Sequence, residues 1–438
     1  MIGVIRQFAA SEVYGKLKTY GTLVTIVGSA QVLIQIFAFV SGILIIRTLP
    51  TSEYALYTLA NTMLGTMTVL ADGGIAMGVM SQGGKVWLDR QKLGSVLSTG
   101  FYLRKRFAVV SLAIAIPILM YLLRHHDASW LMTGLIVVAI IPAFLMSLSG
   151  ELLEIAPKLT QDIKPLQKIQ IGTNIRRLIL LVTTLFIFPW AVVAILASGF
   201  PQIWANLKLR KISVSYAEPD QIRDPAVEKE ILKLVKKLLP GALYYCLAGQ
   251  VTIWLISIFG TTSAVAQAGA LGRISVMLTL FSVLFGTLVA PRFARLTNSK
   301  QVLLPKYLLI QSGVLALCIC IISVVYLFPS QILWVLGTGY ADLKIELILS
   351  ILGSCLSLMA GISYSLYANR GWAMNPLFII PFNIAIIAVG AVLINVSTLK
   401  GILLLNIFIS TIEIAVSVAY TIIKIAKIKP EITDTDLS

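Results

Sequence analysis

The sequence is a succession of apolar runs of about 20 residues or more, separated by short polar corners. Runs this long leave few folds open. In hydrocarbon every backbone N–H and C=O needs an internal partner, and only helices and closed barrels supply one. Barrel strands would need only about 10 residues each, with apolar and polar residues in strict alternation. The runs show no such alternation, so they are read as helices. Only 12% of the residues are charged and 58% are hydrophobic, against about 25% charged in a soluble domain. The chain is expected to be an all-α integral membrane protein.

Spans are expected at about 21–46, 54–80, 102–123, 128–150, 168–188, 190–209, 239–259, 264–290, 304–327, 345–369, 375–396 and 401–424, twelve in all. The fifth carries Asn174, Arg176 and Arg177 in its first half, and Pro201 is expected to interrupt the sixth. Charge tests the count. With the amino terminus inside, the outward segments hold only Arg47, Arg124, Lys344 and Lys400, while nearly all other Lys and Arg face inward. Both termini are therefore expected to be cytoplasmic. The net charge of +16 follows from this bias, and nucleic acid is not an expected partner. Cys246, Cys318, Cys320 and Cys355 lie within apolar spans without metal-site spacing.

Residues 1–20 interleave Ile2, Val4, Ile5, Phe8, Val13 and Leu17 with basic residues, which predicts an interfacial helix and no cleavable signal. Residues 210–238 form a polar linker midway along the chain. Within it Val227, Ile231, Leu234, Val235 and Leu238 recur at helical spacing, predicting an amphipathic helix on the inner leaflet. This midpoint divides the chain into six-span halves, 21–209 and 239–425, followed by a polar tail at 426–438. Corners TSEYALYTLANTML (51–64) and TSAVAQAGALGRIS (262–275) are weakly alike. With an even number of spans per half, the halves would be parallel repeats related by a pseudo-two-fold axis.

The most informative single residue is Arg273. It lies inside the apolar run 264–291, too deep to reach water easily, and an arginine there costs about 2.5–3.5 kcal/mol on insertion scales. It is expected to face a bundle interior or wet cavity, where an anionic substrate would meet it.

The segment RTLPTSEYALYTLANTMLGTMTVLADGGIAMGV (47–79) resembles the signature of bacterial polysaccharide (O-antigen-type) flippases, R-x-L-G-x-x-x-Y-G-x-Y followed by L-x-D-x-G, with Pro50 and Ala55 in place of two glycines. The segment GALGRIS…LVAPRFARL (269–296) resembles the same family and the related lipid II flippases, within the multidrug/oligosaccharidyl-lipid/polysaccharide (MOP, MATE-like) exporter superfamily. The resemblance implies two six-helix bundles in a V around a central cavity. It also implies movement of lipid-linked oligosaccharides across the inner membrane by alternating access. Lipid II flippases usually carry two further spans, which are missing here.

On that reading Arg273 would grip a pyrophosphate, whose oxygens match the two parallel N–H bonds of a guanidinium; the bland alternative is pairing with a neighbouring span. Arg176 and Arg177, near the inner mouth of span five, are either substrate contacts or positive-inside anchors. Arg47 either meets a headgroup or caps a helix C-terminus. Asp72, before Gly73 and Gly74, either caps amides released by a kink or carries a coupling proton. Glu413, a lone intramembrane carboxylate, is a candidate for proton or sodium coupling. His125 and His126 are expected as interfacial polar residues, the GxxxG at 74–78 as helix packing, and Tyr244, Tyr245 and Trp254 as bundle aromatics or sugar platforms.

The sequence contains no Walker A, HExxH or G-x-S-x-G string. No catalytic residue, metal ligand or cofactor is expected, and the chain is not read as an enzyme. The leading expectation is a flippase for a polyprenyl-pyrophosphate-linked oligosaccharide. Its expected partners are that substrate, membrane lipids and the glycan polymerase or glycosyltransferases that act beside it. A cation-coupled multidrug antiporter of the same superfamily and a non-transporting scaffold for glycan assembly are the alternatives.

Overall fold

A computed structural model describes residues 28–428 apart from 220, 291, 292, 294, 295, 298, 369, 371 and 373. The expected amino-terminal helix at 1–20 and most of the tail lie outside the described residues. Those described are mostly helical, with no strand among them. Helices α1 (Gly28–Thr48), α2 (Thr51–Asp72), α3 (Ile75–Val86), α4 (Arg90–His125), α5 (Trp130–Leu153), α6 (Ile155–Leu159), α7 (Ile163–Leu185), α8 (Ala191–Tyr216) and α9 (Pro225–Phe259) come first. They are followed by α10 (Thr262–Ser275), α11 (Thr279–Leu288), α12 (Lys300–Leu327), α13 (Pro329–Leu336), α14 (Lys344–Ala368), α15 (Pro376–Leu393) and α16 (Leu399–Ala426).

Among the described residues nine helices are long and apolar enough to cross a membrane, or ten when the bent pair α2 and α3 counts as one span. Helix α7 is long, but Arg176 and Arg177 dilute its apolar character; in α9 the apolar stretch among the described residues is Ala248–Phe259. Pro201 does not interrupt its span: α8 runs through it unbroken. Proline is tolerated inside membrane helices because neighbouring groups take up the freed backbone acceptor.

The chain separates into two compact units. The first comprises Met1–Leu44, Leu64–Pro117 and Gly134–Leu243, and the second Ile45–Met63, Ile118–Thr133 and Tyr244–Ser438. In the first unit the backbone breaks between α2 and α3, which meet at 43°. Gly73 (φ +50) and Gly74 (φ +95) make the break, in a region that residues bearing a Cβ rarely adopt. Asp72 follows its capping expectation: its carboxylate accepts from Gly74 N (3.2 Å) and Ala76 N (3.0 Å).

The linker helix is where the structure departs most from expectation. Residues 225–238 do not form a separate helix on the leaflet; they are the first half of the 35-residue α9. Their apolar face is buried by protein. Ile231 (0% exposed) and Val235 (2%) join Ile75, Val79, Leu93, Val96 and Leu152 in one core. The glycines of α3 admit this face. A Cβ at Gly78 would sit 2.8 Å from the Ile231 side chain, and one at Gly74 would sit 3.2 Å from Leu238. Small-residue packing between neighbouring helices thus accounts for the GxxxG. Periodicity alone cannot tell a lipid surface from a protein groove, since both take an apolar stripe.

In the second unit α14 is the central helix, packed against α10, α11, α12, α13 and α16. Hydroxyl contacts tie it to its neighbours: Ser354 to Ser275 (2.8 Å), Ser357 to Ser410 (2.7 Å) and Ser363 to Tyr307 (2.7 Å). Such bonds hold membrane helices together where apolar burial gives little preference for protein over lipid.

The docked linker face gives a direct test. Ile231→Ala should cost about 2–5 kcal/mol through the cavity it leaves and lower the thermal midpoint of the detergent-solubilised protein. Lys233→Ala, two residues on and exposed, should leave the midpoint within about the 0.5 kcal/mol scatter of surface changes. Equal midpoints for the two variants would mean that this face does not bind the core.

Candidate functional site

Helix α10 starts cleanly, with the Thr261 hydroxyl accepting from Ala264 N (3.2 Å). Ala264, Val265, Ala266, Ala268 and Ala270 then form a buried small-residue face. Small side chains let α10 approach the first turns of α2, where a Cβ at Gly269 would lie 2.6 Å from Thr58 Oγ1. One turn beyond Gly269, Arg273 donates to the Tyr54 hydroxyl and lies against that of Tyr57. The two corners singled out as alike, 51–64 and 262–275, are therefore packed on one another within the second unit.

Tyr54 and Tyr57 are 1% and 2% exposed, with ring centroids 6.1 Å apart. Tyr340 is buried beside Tyr54, in the turn Thr338–Tyr340, and burial pushes its phenol above the ordinary value. Arg273 itself is partly exposed. Among the described residues no carboxylate pairs with it. Its charge is solvated by phenols, and immediately after it α10 tightens into the 3-10 turn Val276–Leu278.

Arg47 is exposed and anchors elsewhere in the same unit. Its Nε donates to Val335 O (2.9 Å), its Nη2 to Trp334 O, and its guanidinium lies 4.8 Å from the Trp334 ring. These carbonyls end α13, which turns out through Gly337 (φ +115). The arrangement is helix C-capping, of α13 rather than of its own helix.

Arg176 and Arg177 belong to the first unit. Arg176 stacks 3.5 Å from the Trp204 ring centroid and donates to Gly172 O (3.1 Å). Arg177 is partly buried, and its Nε has no hydrogen-bond partner among the described residues. Adjacent helical positions diverge by about 100°, and the two guanidiniums take different surroundings accordingly.

Asp72 has partners that the sequence did not announce. Arg104, 3% exposed, donates through Nε (3.1 Å) and Nη2 to Asp72 Oδ1, through Nη2 to Glu151 Oε2 (2.7 Å) and through Nη1 to Leu148 O. In the sequence, Arg104 is covered by the inward positive bias alone. The signal that could have separated it from Lys105 and Arg106 is its position on the apolar face of α4, between Leu103 and Ala108, both buried.

Glu413 lines a cavity of about 220 Å³ within the second unit, together with Tyr364, Tyr367, Asn383 and Ser417. No hydrogen bond or ion pair to its carboxylate occurs among the described residues. Tyr367 stacks edge-on against Tyr364 (5.3 Å) and Tyr420 (5.2 Å).

His126 is not an interfacial residue but a buried one, 5% exposed. Its Nε2 lies 3.0 Å from the Ser257 carbonyl and hydroxyl, and its Nδ1 3.0 Å from Thr262 Oγ1. A neutral ring fits this setting, with Nε2–H donating to Ser257 and Nδ1 accepting from Thr262. Burial is the main cause holding its pKa below the ordinary value; His125 adds to the shift, while Ser257 and Asp127 oppose it.

No family model and no curated protein matches the chain. Solved structures do. The inward-facing conformation of a multidrug resistance MATE family transporter of the MOP superfamily gives a TM-score of 0.74 at 14% identity, covering 91% of this chain and 96% of that one. The outward-facing conformation of such a transporter gives 0.62 at 13% identity, covering 93% and 95%. A MOP superfamily transporter from Pyrococcus furiosus, for which a reversed polarity of the binding pocket suggests a different function, gives 0.61 at 14% identity, covering 92% and 95%. At these identities the likeness is one of fold. The chain has the fold of MATE transporters of the MOP superfamily, and it is a multi-pass membrane protein.

Two outcomes follow from this geometry. Arg104→Leu leaves Asp72 unpaired and should cost about 3–5 kcal/mol, read as a lost folded fraction or a lowered thermal midpoint; an unchanged midpoint would mean the ion cluster is not structural. For His126 the folded pKa is depressed, so the unfolded chain takes up a proton first as pH falls through about 6.5. Stability should therefore decline below that pH, and His126→Gln should flatten the decline; identical pH profiles would exclude His126 as its source.

Proposed function

We propose that the chain is a transporter that moves a polyprenyl-pyrophosphate-linked oligosaccharide from the inner to the outer leaflet of the bacterial inner membrane by alternating access. The observation that carries the proposal is the state of Arg273. It is a guanidinium at span depth, held by phenol hydroxyls, with no carboxylate partner among the described residues. A phenol orients the fork without cancelling its charge, so a pyrophosphate gains the full ionic contact and displaces no acid. The resemblance of segments 47–79 and 269–296 to polysaccharide flippases supports the same substrate class.

On this reading the chain has twelve spans in two six-helix bundles, 21–209 and 239–425, joined by the 210–238 linker, with both termini in the cytoplasm. Arg273 binds the pyrophosphate. Arg47, Arg176 and Arg177 are proposed as secondary substrate contacts. Glu413 is the coupling carboxylate, for a proton or sodium, because its cavity holds polar groups and, among the described residues lining it, no Lys or Arg; Asp72 acts in coupling only through the Arg104 and Glu151 cluster that fixes the α2–α3 break. Glycosyltransferases and a glycan polymerase are the partners that supply and consume the substrate.

A second reading, a cation-coupled multidrug antiporter, is favoured by the same Glu413 cavity, whose aromatic walls Tyr364 and Tyr367 suit an organic cation. Reconstitution separates the two. Vesicles holding the wild-type chain should move a fluorescent lipid-linked glycan between leaflets. Arg273→Ala should abolish that movement while remaining folded, Arg273→Lys should restore part of it, and Glu413→Gln should remove its dependence on an ion gradient. Extrusion of an organic cation with no glycan movement would establish the antiporter instead, and neither activity would favour a scaffold.

A further inference from the structure

The first unit contains a second cavity, of about 480 Å³, at the Arg90 end of α4 and the carboxyl ends of α5 and α8. Its lining recurs at helical spacing, with Leu97 and Phe101 from α4, Leu153 from α5 and Ile203 from α8. The polar wall residue Asn206 is 7% exposed and already engaged: it donates to Met146 O (2.7 Å) and Gln202 O (3.0 Å) and accepts from Ser149. The cavity therefore presents mainly hydrocarbon to an occupant.

The rim carries opposite charges that do not meet. Arg210 and Glu218 both line the cavity, and neither side chain has a hydrogen bond or ion pair among the described residues. Glu218 is fixed through its backbone: its N–H donates to Arg90 O (2.9 Å), and its carbonyl is so close to α4 that a Cβ at Gly94 would sit 2.2 Å from it. Arg90 in turn donates to Val214 O (2.9 Å). Two separated charges, with Glu218 held through its backbone, thus border an apolar chamber.

We propose that this cavity holds one phospholipid with a zwitterionic amine headgroup, phosphatidylethanolamine, taken from the surrounding bilayer. Its phosphate meets Arg210, its ammonium meets Glu218, and one acyl chain occupies the space between Leu97, Phe101, Leu153 and Ile203. An anionic phospholipid satisfies Arg210 but leaves Glu218 facing a negative headgroup. The 36-residue α4, about 54 Å long at 1.5 Å per residue, exceeds a hydrocarbon core of about 30 Å, so its charged end reaches headgroup level. The site is separate from the Arg273 site and does not depend on what the chain transports.

Native mass spectrometry of the full chain in detergent tests this, with phosphatidylethanolamine or phosphatidylglycerol of matched acyl chains added. The wild type should retain one phosphatidylethanolamine at about tenfold lower lipid concentration than phosphatidylglycerol, the scale of one charge-assisted contact. Glu218→Gln, on the exposed rim, should bring the two lipids to equality, and Arg210→Gln should weaken both. Leu97→Trp, which fills the chamber, should lose the retained lipid while its thermal midpoint certifies folding. Equal retention of the two lipids by the wild type, or a Glu218→Gln variant that keeps the preference, would overturn the proposal.

Discussion

A polar group at membrane depth has no water to fall back on, and most of what is distinctive in this chain follows from how such groups find partners inside the protein. The break between α2 and α3 is the clearest case. Two glycines release amides in the middle of an apolar stretch, and Asp72 accepts them. The carboxylate is then itself an exposed liability, which Arg104 answers, and Arg104 in turn needs Glu151 and the Leu148 carbonyl to satisfy the rest of its fork. One bend thus commits three helices, α2, α4 and α5, to a fixed arrangement. The cluster exchanges its own desolvation for specificity, since an incomplete set would leave a charge stranded.

The same demand shapes the linker helix. Ile231 and Val235 could have been covered by lipid at little cost, but the glycines of α3 leave a groove that only a protein side chain of the right shape fills. Docking there also brings the segment after α8 against α4, where Gly94 admits the Glu218 carbonyl and Thr99 Oγ1 accepts from Asp224 N (3.0 Å). What the sequence presents as a loop is therefore held along a helix over several turns.

The helical character of the apolar runs was legible because length and hydropathy leave no alternative, and nine or ten of the twelve expected spans are matched by helices long and apolar enough to cross a membrane among the described residues; the place of Arg273 within one of those helices was legible for the same reason. Its partners were not, although Tyr54 and Tyr57 stand in the very corner compared with its own; nothing in a linear pattern says that two similar corners will pack together. Arg47 was visible as a cation on the wrong side of the charge rule. Its role needed the fold, because the carbonyls it caps lie 287 and 288 positions away. Arg104 was hidden for the opposite reason: the inward positive bias already explained it, and a sufficient topological cause masked a structural one.

Arg104 and Arg273 differ in their partners. Arg104 sits between two carboxylates and presents no charge to a newcomer. Arg273 leans on two phenols, which orient it by accepting or flanking its N–H groups but leave its positive charge unbalanced. Burying such a charge without a counterion is costly, and the cost falls when an anion arrives. An arginine meant only to join helices would be expected to resemble Arg104. On the proposed function, an arginine in the condition of Arg273 would meet an anion without displacing an acid, beside the 3-10 turn Val276–Leu278.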